Sequence, residues 1–306
     1  MSVSVIIISY NTATLTLKCI ASVLETAPEC LITVVDNRSP DDTVEQITEH
    51  YPDVTVIVSP ENKSYANAVN IGMNACTTEL AIVTNADVEF RASSIQILAN
   101  YLLSNSRVGI VAPQQVYPNG SWQRSYGYVP GIKEGISDFL MITAAKHLLR
   151  TICFRSFPID KNPKHVDFVD GAILAIRRSA YNEVGGFDED FSFYTEESDF
   201  CHRLTQAKWG VVFNPKAVVM HIRGASSGTE MNLTASKVHK LIYSKVQFIR
   251  KHCTVSEQKA YIFLEYLHFS MKMVLYKTAR VFRKSPTIQA KVTFFERISS
   301  FWKEYL

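Results

Sequence analysis

The chain has 306 residues, of which 47% are hydrophobic, so it can bury a full core in one large domain or in two closely joined ones. Its six cysteines show neither the Cys-x-x-Cys spacing of a zinc site nor a disulfide framework, which predicts reduced thiols in a cytoplasmic compartment. The N-terminus lacks the basic start of a signal peptide, and no apolar run approaches the roughly 20 residues that span a bilayer.

The net charge of +3 conceals an uneven distribution along the chain. Residues 231–306 carry 14 Lys and Arg against 4 Asp and Glu, a net +10, whereas residues 1–230 carry 18 against 25, a net −7. A basic C-terminal region predicts an anionic partner, either a membrane surface or a nucleic acid. The acidic first part of the chain argues against nucleic-acid binding as the main role.

The first third of the chain alternates short apolar runs with helical patterns. Strands are predicted over residues 3–9, 31–35, 54–58 and 80–88, and helices over residues 15–24, 43–50 and from about 61 to 74. Nearly continuous β-branched runs are typical of parallel strands that are buried on both faces. This order predicts a Rossmann-like α/β sheet with ligands beyond the carboxyl ends of its strands. No Gly-x-Gly-x-x-Gly follows the first strand, so a dinucleotide cofactor is not expected.

Polar side chains follow these strands at the edge where a ligand would lie. Tyr10, Asp36 and Asn37 come directly after the first two strands. Asn62, Asn67 and Asn70 recur at helical spacing, and such a row of amides suits a hydroxyl-rich or phosphate ligand, although a capped surface helix explains it equally well.

The fourth strand ends at Asn85, Ala86 and Asp87. A carboxylate at the end of a buried strand is costly unless it is paired, hydrogen-bonded or bound to a cation, so Asp87 is a better metal candidate than any acid between residues 185 and 204.

Beyond residue 107 the pattern becomes less regular. A strand is predicted over residues 108–113, a helix over 138–149, a strand-like run over 166–176 with a short helix behind it, and short strands over 211–213 and 218–220. The last of these strands delivers His221, and residues 151–165 look irregular and basic.

Residues 185–204 place six carboxylates among large aromatic residues. The acids are Asp188, Glu189, Asp190, Glu196, Glu197 and Asp199. Aromatic side chains draw such a segment toward a core or a cleft wall, where each carboxylate must find a cation, a metal or a proton. Acids that merely cap the helix beginning near Glu196 would explain the pattern equally well.

Taken together, these motifs resemble the family 2 glycosyltransferases of the GT-A fold, a group that includes bacterial rhamnosyl- and galactofuranosyltransferases. The matching segments follow the family's order across residues 3–225: 5–11, 35–39, 61–72, 84–87, 170–172 with Arg177 and Arg178, 185–190, 196–203 and 215–221. The resemblance implies an α/β fold of the GT-A type, a Rossmann-like mixed sheet flanked by helices, and the helical periodicity of residues 231–306 adds a C-terminal helical extension. Residues 1–112 would form the nucleotide-sugar-binding half, residues 113–230 the acceptor-binding and catalytic half of the same domain, and residues 231–306 the basic helical region.

The resemblance also implies an inverting hexosyltransferase and assigns roles to residues. Asp36 would hold the nucleotide base, Asp87 and His221 a Mg²⁺ or Mn²⁺ ion, and Glu197 would be the general base. Further donor contacts would come from Ser9, Tyr10, Asn11, Asn37, Asn62, Asn67, Asn85, Ala86 and Gly171, and a diphosphate contact from Arg177 and Arg178. Weaker acceptor contacts would come from Trp122, Asp188 and Glu196.

The sequence departs from the family pattern at three positions. Asn85 replaces the first carboxylate of Asp-x-Asp, Glu197 stands where Asp is more usual, and Ser64 stands where Gly is frequent. The donor is expected to be dTDP- or UDP-linked, with rhamnose as the best guess, because residues 167–172 and the Asn-x-Asp motif resemble rhamnosyltransferases. A non-catalytic sugar-nucleotide-binding scaffold is one alternative. A nucleotidyltransferase is another, although it would usually show a Gly-rich basic loop after the first strand.

The C-terminal quarter lies outside the resemblance. Helices are predicted over residues 237–251 and 257–284, and the second combines aromatic and aliphatic residues with a basic end. This pattern fits an interfacial helix on anionic lipid and predicts a peripheral protein at the inner face of the plasma membrane, with a saccharide or polyprenyl-diphosphate-linked acceptor. The alternative is a helical pair that packs on the core or on a second subunit of a homodimer.

Overall fold

The computed structural model describes residues 3–153, 160–191, 194–222 and 235–306. The chain forms two compact units. The first comprises Met1–Gly127, Arg150–Ser192 and Glu196–Ser226, and the second comprises Tyr128–Leu149, Phe193–Thr195 and Ser227–Leu306. All six cysteines are free thiols.

The secondary structure is numbered in chain order. The strands are β1 (Ser4–Ser9), β2 (Leu31–Asp36), β3 (Thr55–Val58), β4 (Leu80–Asn85), β5 (Val88–Phe90), β6 (Val108–Val116), β7 (Tyr126–Gly127), β8 (Lys164–His165), β9 (Phe168–Val169), β10 (Ile173–Arg177) and β11 (Gly210–His221). The helices are α1 (Ala13–Thr26), α2 (Thr43–His50), α3 (Tyr65–Ala75), α4 (Ser94–Ser104), α5 (Ile132–Phe139), α6 (Ile142–Cys153), α7 (Arg178–Val184), α8 (Glu196–Gln206), α9 (Ala235–His252), α10 (Val255–Phe282) and α11 (Pro286–Lys303).

A mixed sheet forms the centre of the first unit, in the order β3-β2-β1-β4-β10-β6-β11-β5, with β8 paired to β11. Strands β1 to β4 run parallel to one another, whereas β10 lies antiparallel between β4 and β6. A small second sheet pairs β7 with β9. The predicted mixed sheet with flanking helices is therefore confirmed.

Both faces of this sheet are covered by helices. Along β1, Val5 and Ile7 pack into one hydrophobic cluster, whereas Ile6 and Ile8 pack into another on the opposite face. Because successive side chains of a strand point to opposite faces, this division accounts for the continuous apolar sequence of β1. On the second face, a Cβ added at Gly72 in α3 would lie 2.4 Å from Ile6 Cγ2, so only glycine lets the helix approach this closely.

Several elements differ from the sequence prediction. The run 80–88 forms two strands, because the chain turns at Ala86 and Asp87, and the two predicted strands at 211–220 form the single strand β11 with a shift in register between Asn214 and Val218. The predicted helix 138–149 is replaced by α5 and α6, which are separated at Met141, where φ is +58°. Within the irregular stretch predicted over 151–165, α6 continues to Cys153 and β8 is formed, while residues 154–159 lie outside the described ranges.

The second unit contains α5, α9, α10, α11 and most of α6, and it buries a polar cluster. Glu134 accepts hydrogen bonds on Oε2 from the Tyr261 hydroxyl at 2.7 Å and from Lys245 Nζ at 3.1 Å. Burial raises the pKa of the nearby Glu265 to about 8 and lowers the pKa of His268 to about 4. Among the helices whose residues are described, none combines the length and apolarity needed to cross a bilayer.

Candidate active site

The predicted site residues converge because their strands end at one edge of the sheet. Ser9 lies beside Asp36 in the parallel register of β1 and β2, and Ile8 lies beside Asn85 in the register of β1 and β4. The backbone N–H of Ala86 donates to the Ile8 carbonyl at 3.1 Å, which holds the turn after β4 against the end of β1.

Asp36 is fully buried and organises the loop that follows β2. Its two carboxylate oxygens accept hydrogen bonds from the Ser39 backbone N–H at 2.7 Å and from the Ser39 hydroxyl at 2.6 Å. The Asn11 N–H donates to the same hydroxyl at 2.8 Å, so the turns after β1 and β2 are joined. Asn11 adopts a φ of +53°, and the neighbouring Tyr10 side chain is 43% exposed at this joint.

The other polar residues of this half differ in how accessible they are. Asn37 Nδ2 donates to Asn62 Oδ1 at 3.0 Å, and the buried Asn37 Oδ1 receives no hydrogen bond. The Ser9 hydroxyl is buried 2.9 Å from the Thr16 hydroxyl of α1, where it holds the turn after β1.

The row of amides on α3 binds another part of the protein. Asn67 Nδ2 and Asn70 Nδ2 donate to the Glu189 carboxylate at 2.9 and 3.0 Å, and Asn70 also donates to the Phe187 carbonyl at 2.8 Å. Lys63 Nζ lies 2.8 Å from the same carboxylate. Hydrogen bonding and this cation hold the pKa of Glu189 below its usual value. The amides therefore fix the segment that precedes α8 to α3.

Asp87 and His221 meet because β5 and β11 are antiparallel, with His221 opposite Val88. Both residues are 5% exposed, and His221 Nε2 lies 3.4 Å from Asp87 Oδ1. That oxygen receives no hydrogen bond from the protein. A charge-assisted hydrogen bond would be shorter, about 2.7–2.9 Å, so the pair is spaced too widely for a tight ion pair.

Two glutamines favour one tautomer of the neutral His221 ring. The Oε1 atoms of Gln115 and Gln123 each lie 2.8 Å from His221 Nδ1. Both amides are oriented by their Nε2 atoms, which donate to Asp170 Oδ1 at 3.1 Å and to the His221 carbonyl at 3.3 Å respectively. The Nδ1 atom must therefore carry a proton to satisfy these acceptors, so the lone pair of the neutral ring lies on Nε2 and faces Asp87.

Glu196 and Glu197 begin α8, where carboxylates interact favourably with the helix dipole. Burial raises the pKa of Glu196 to about 7, and Glu196 Oε2 receives no hydrogen bond. Burial and the adjacent Glu196 carboxylate raise the pKa of Glu197 well above its usual value. Thr195, directly before the pair, has a φ of +77°, which is strained for a β-branched residue and is typical of functional sites.

Tyr65 links this acidic pair to the loop before β10. Its hydroxyl donates to the Gly171 carbonyl at 2.7 Å, and a Cβ added at Gly171 would lie 3.5 Å from Glu197 Cβ. Burial raises the pKa of Tyr65 strongly, and the carboxylates of Glu196, Glu197, Asp170 and Asp87 raise it further. These four acids therefore share one electrostatic environment around a single hydroxyl.

The remaining candidates lie in packed or turn positions. Trp122 is 7% exposed, with the Arg150 guanidinium over its ring, and Asp188 accepts a hydrogen bond from the Asp190 N–H at 3.0 Å within a turn. The suggested diphosphate contact of Arg177 and Arg178 is wrong. Arg177 lies at the opposite edge of the sheet, paired with Leu80, and both guanidinium groups donate to backbone carbonyls.

Four residues of this arrangement were not predicted from the sequence: Tyr65, Gln115, Gln123 and Asp170. Tyr65 and Asp170 lie inside segments that were singled out, so attention to each segment's remaining polar residues could have found them. The glutamines carried no signal, because an isolated Gln in an apolar run has no typical function.

Solved structures with the same architecture define the class of protein. A mannosyltransferase from Pyrobaculum calidifontis in complex with GDP-Man and Mn²⁺ superposes with a TM-score of 0.62 at 14% identity, over 99% of this chain and 86% of that one. GalNAc-T7 with UDP, GalNAc and Mn²⁺ gives a TM-score of 0.61 at 15% identity, over 99% of this chain and 56% of that one. The fold is therefore that of the GT-A glycosyltransferases.

Sequence comparison gives the family. Residues 4–185 match the profile of glycosyl transferase family 2. An N-acetylglucosaminyl-diphospho-decaprenol L-rhamnosyltransferase of Mycobacterium tuberculosis is 29% identical over 223 residues, 69% of this chain and 73% of that protein. The low-salt glycan biosynthesis hexosyltransferase Agl10 of Haloferax volcanii is 27% identical over 184 residues, 56% of this chain and 52% of that protein. The chain belongs to glycosyl transferase family 2 and is a glycosyltransferase that uses a nucleotide-sugar donor.

Proposed function

We propose that this enzyme transfers a rhamnosyl unit, with inversion, from a dTDP- or UDP-linked donor to a lipid-linked saccharide. The observation that carries the proposal is the buried Asp87 oxygen without a hydrogen-bond donor, which faces the lone pair of His221 Nε2 at 3.4 Å. When the ring is neutral, two acceptors face each other in a buried site, and a divalent cation beside them would satisfy both. A nucleoside diphosphate brings such a cation with it.

The residues present fit a divalent metal ion. Asp87 supplies a carboxylate oxygen and His221 an imidazole nitrogen with its tautomer fixed, the usual arrangement for a histidine ligand. Within the described ranges, no group of three or more His, Cys, Asp or Glu side chains converges on one point. Two protein ligands suit Mg²⁺ or Mn²⁺ that is bound largely through substrate phosphates and water. Such an ion would stabilise the negative charge on the departing diphosphate.

The loop around Asp36 is proposed to bind the nucleotide. The Ser39 bonds hold the Asp36 carboxylate in place and leave lone pairs free to accept a hydrogen bond from a pyrimidine ring N–H. The exposed Tyr10 ring and the unpaired Asn37 Oδ1 lie at the same edge of the sheet, which supports their assignment as donor contacts together with Asn11 and Asn62.

Glu197 is proposed as the general base. It takes the proton of the acceptor hydroxyl while the hydroxyl oxygen attacks the anomeric carbon and the bond to the diphosphate breaks on the opposite face. A carboxylate with a raised pKa is a stronger proton acceptor than a solvated one, which suits it to this task near neutral pH. Tyr65 holds the Gly171 backbone beside this carboxylate and so positions the floor of the site.

Sugar and acceptor are inferred from the relatives. The mycobacterial rhamnosyltransferase named above acts, by its name, on a saccharide linked through a diphosphate to decaprenol. A lipid-linked acceptor requires the enzyme to work at a membrane surface. The basic C-terminal region agrees with that, and we place the protein in the cytoplasm at the inner face of the plasma membrane. The alternative is that the C-terminal helices form the interface of a homodimer.

Glu197→Gln tests the proposal. The amide keeps the shape of the side chain but cannot take a proton, so the rate of sugar transfer should fall by about 10²–10⁴-fold while donor affinity changes little. Glu183→Gln is the matched control, since Glu183 accepts a surface hydrogen bond from Trp209 Nε1 that Gln can also accept. Transfer at a near-normal rate by the Glu197 variant would refute the assignment of the base.

A further inference from the structure

Helix α6 packs its polar face against the protein and exposes its apolar face, the reverse of an ordinary surface helix. The partly buried positions Thr143, His147 and Arg150 recur at helical spacing, so the polar stripe faces the protein. Arg150 bonds Asp160 and the Tyr126 hydroxyl, and Thr143 bonds Ser137.

The opposite stripe of α6 is apolar and exposed. Its members are Ile142 (39% exposed), Leu148 (63%), Leu149 (57%) and Ile152 (68%), and the preceding Leu140 (58%) and Met141 (39%) extend it. A surface helix of a globular protein normally turns its apolar stripe toward the core. A contiguous apolar face turned the other way marks a surface that a partner covers.

A second exposed apolar set lies on the same unit, at the end of α10. Val274 and Leu275 are 56% and 58% exposed, and Val281 and Phe282 are 76% and 85% exposed. Helix α5, which directly precedes α6, packs against α10: the Tyr261 hydroxyl donates to Glu134 at 2.7 Å, and a Cβ added at Gly135 would lie 3.2 Å from the Leu264 side chain. From Leu264 to Val274 the helix rises about 15 Å.

Basic side chains border both apolar sets. Lys146 is exposed on α6. Lys277 and Arg280 are exposed on the last turns of α10, and Arg283 and Lys284 are exposed directly after it. Lys277 is 2.8 Å from Glu296, and the other three extend the positive border. Apolar side chains framed by Lys and Arg are the composition of a helix that lies in the headgroup layer of an anionic bilayer.

We propose that α6 is an interfacial membrane helix, with its stripe from Ile142 to Ile152 inserted among lipid headgroups. This inference adds a second element to the membrane contact of the C-terminal region and rests on that part of the proposed function. A second copy of the chain is a poorer occupant, because a twofold contact of identical patches would place the basic borders against each other.

The test is vesicle partitioning of Leu148→Ser/Leu149→Ser, measured by flotation with phosphatidylcholine vesicles that contain phosphatidylglycerol. Removing two inserted leucines should lower the partition coefficient by about tenfold or more. The salt dependence of binding should stay as in the parent, because the basic residues are intact. Leu31→Ser/Leu103→Ser is the matched control, since these leucines are 51% and 44% exposed in the first unit. It should partition like the parent.

A second variant reports insertion directly, so that a folding defect of the double Ser variant is not mistaken for lost membrane contact. Leu149→Trp should keep the parent's melting temperature, and the emission of the introduced indole should shift to shorter wavelength when vesicles are added. Unchanged partitioning of the double Ser variant, or an indole at position 149 that stays in water on vesicles, would overturn the inference. So would a double variant that loses self-association in sedimentation while it still binds vesicles, because a second copy would then be the occupant.

The same preparations separate this inference from the proposed reaction. If the parent binds vesicles through α6 but transfers no sugar from any dTDP- or UDP-linked donor to a water-soluble acceptor, the reaction is wrong and the membrane helix stands. If transfer to the water-soluble acceptor proceeds and the double Ser variant partitions like the parent, the reaction stands and the membrane helix is wrong.

Discussion

The side-chain oxygen of Gln123 accepts a hydrogen bond from His221 Nδ1–H, the tautomer whose Nε2 lone pair faces Asp87. Replacing Gln123 by Leu removes one of the two acceptors that fix this tautomer. The metal concentration for half-maximal activity should rise by about 10–100-fold, the usual effect of losing such a supporting group. Titration of Mn²⁺ against activity, and against thermal stability, would measure the shift.

Gln123→Glu is the matched control for this prediction. The carboxylate keeps an acceptor oxygen at the same reach, so the metal requirement should change less than in the Leu variant. Equal metal requirements in the parent and the Leu variant would show that His221 does not ligate the ion.

Glu265 gives a pH dependence of stability at the same scale. Its folded pKa of about 8 lies above the ordinary glutamate value of 4.5. Between these values the folded protein holds a proton that the unfolded chain releases, so this group lowers the free energy of unfolding as pH rises. Glu265→Gln removes this loss. In urea denaturation, the free energy of unfolding of the variant minus that of the parent should increase from pH 4.5 to about 8 and stay constant above that pH.

Glu257 at the start of the same helix α10 provides the opposite case. Hydrogen bonds from Thr254 lower its pKa, so its stabilising effect is present above the ordinary pKa of a glutamate and is lost as pH falls. Glu257→Gln should therefore differ from the parent least at low pH. Identical pH dependence in the two variants would contradict the assignment of a buried proton to Glu265.

Single residues were predictable from the sequence where a strand pattern fixed their place. Asp36 and Asp87 follow buried strands, and parallel strands bring such ends together. The apolar pattern of the strands therefore predicted that both residues lie at the same edge of the sheet. The contact of Asp87 with His221 depends on the antiparallel pairing of β5 and β11, which was not predicted. Only the family resemblance assigned the two residues to one metal site. The hydrogen bonds of Gln115 and Gln123 depend on tertiary packing alone and left no trace in the sequence.

At the scale of elements, Glu189 joins two segments that are far apart in the chain. Its carboxylate accepts hydrogen bonds from Asn67, Asn70 and Lys63, so Glu189→Ala would leave Asn67 without this acceptor and Asn70 with the Phe187 carbonyl alone. The free energy of unfolding should fall by about 1 kcal/mol, a modest figure because the side chain is 31% exposed and water replaces part of the bonding. Urea denaturation monitored by circular dichroism measures this change.

Lys63→Met distinguishes the contribution of the ion pair from that of the hydrogen bonds that Asn67 and Asn70 donate to Glu189. The Lys63 side chain is 47% exposed, so its loss should destabilise the protein less than the loss of Glu189. A larger effect of the Lys63 variant would mean that charge, and not the amides, holds the segment before α8.

Element boundaries were predicted well where apolar periodicity was strong and poorly where it was not. The helix over Thr43–His50 has the predicted limits. The break between α5 and α6 was missed because the apolar residues Leu140, Met141 and Ile142 continue through it. Those side chains are exposed, so a pattern that normally indicates burial misled the interpretation.

At the scale of the whole molecule, the contrast of +10 against −7 predicts electrostatic attraction to anionic lipid. Reversing the four basic residues that end α10 should release the protein from anionic vesicles, and binding by the parent should weaken with salt, since screening acts beyond about 8–10 Å at moderate ionic strength. Transfer to a water-soluble acceptor should persist. The reversed residues are Lys277, Arg280, Arg283 and Lys284.

The control changes charge by the same amount in the acidic part of the chain. Four exposed basic residues of the first unit are reversed to Glu: Lys18, Arg91, Lys208 and Lys216. If position matters, this protein should bind vesicles better than the α10 variant. Equal loss in both would mean that net charge alone, and no defined surface, governs the attraction.

The antiparallel strand β10 lies at the middle of the sheet, yet it comes from residues 173–177, long after its neighbours β4 and β6. During synthesis these two neighbours are made first, and the backbone groups that later pair with β10 stay unpaired until residues 173–177 have been added. Pairing across such sequence separations is slow, and unpaired apolar edges are prone to aggregate. The ribosome must therefore deliver more than half of the protein before its sheet can close, so we expect the growing chain to be most prone to aggregation before residue 173 is made.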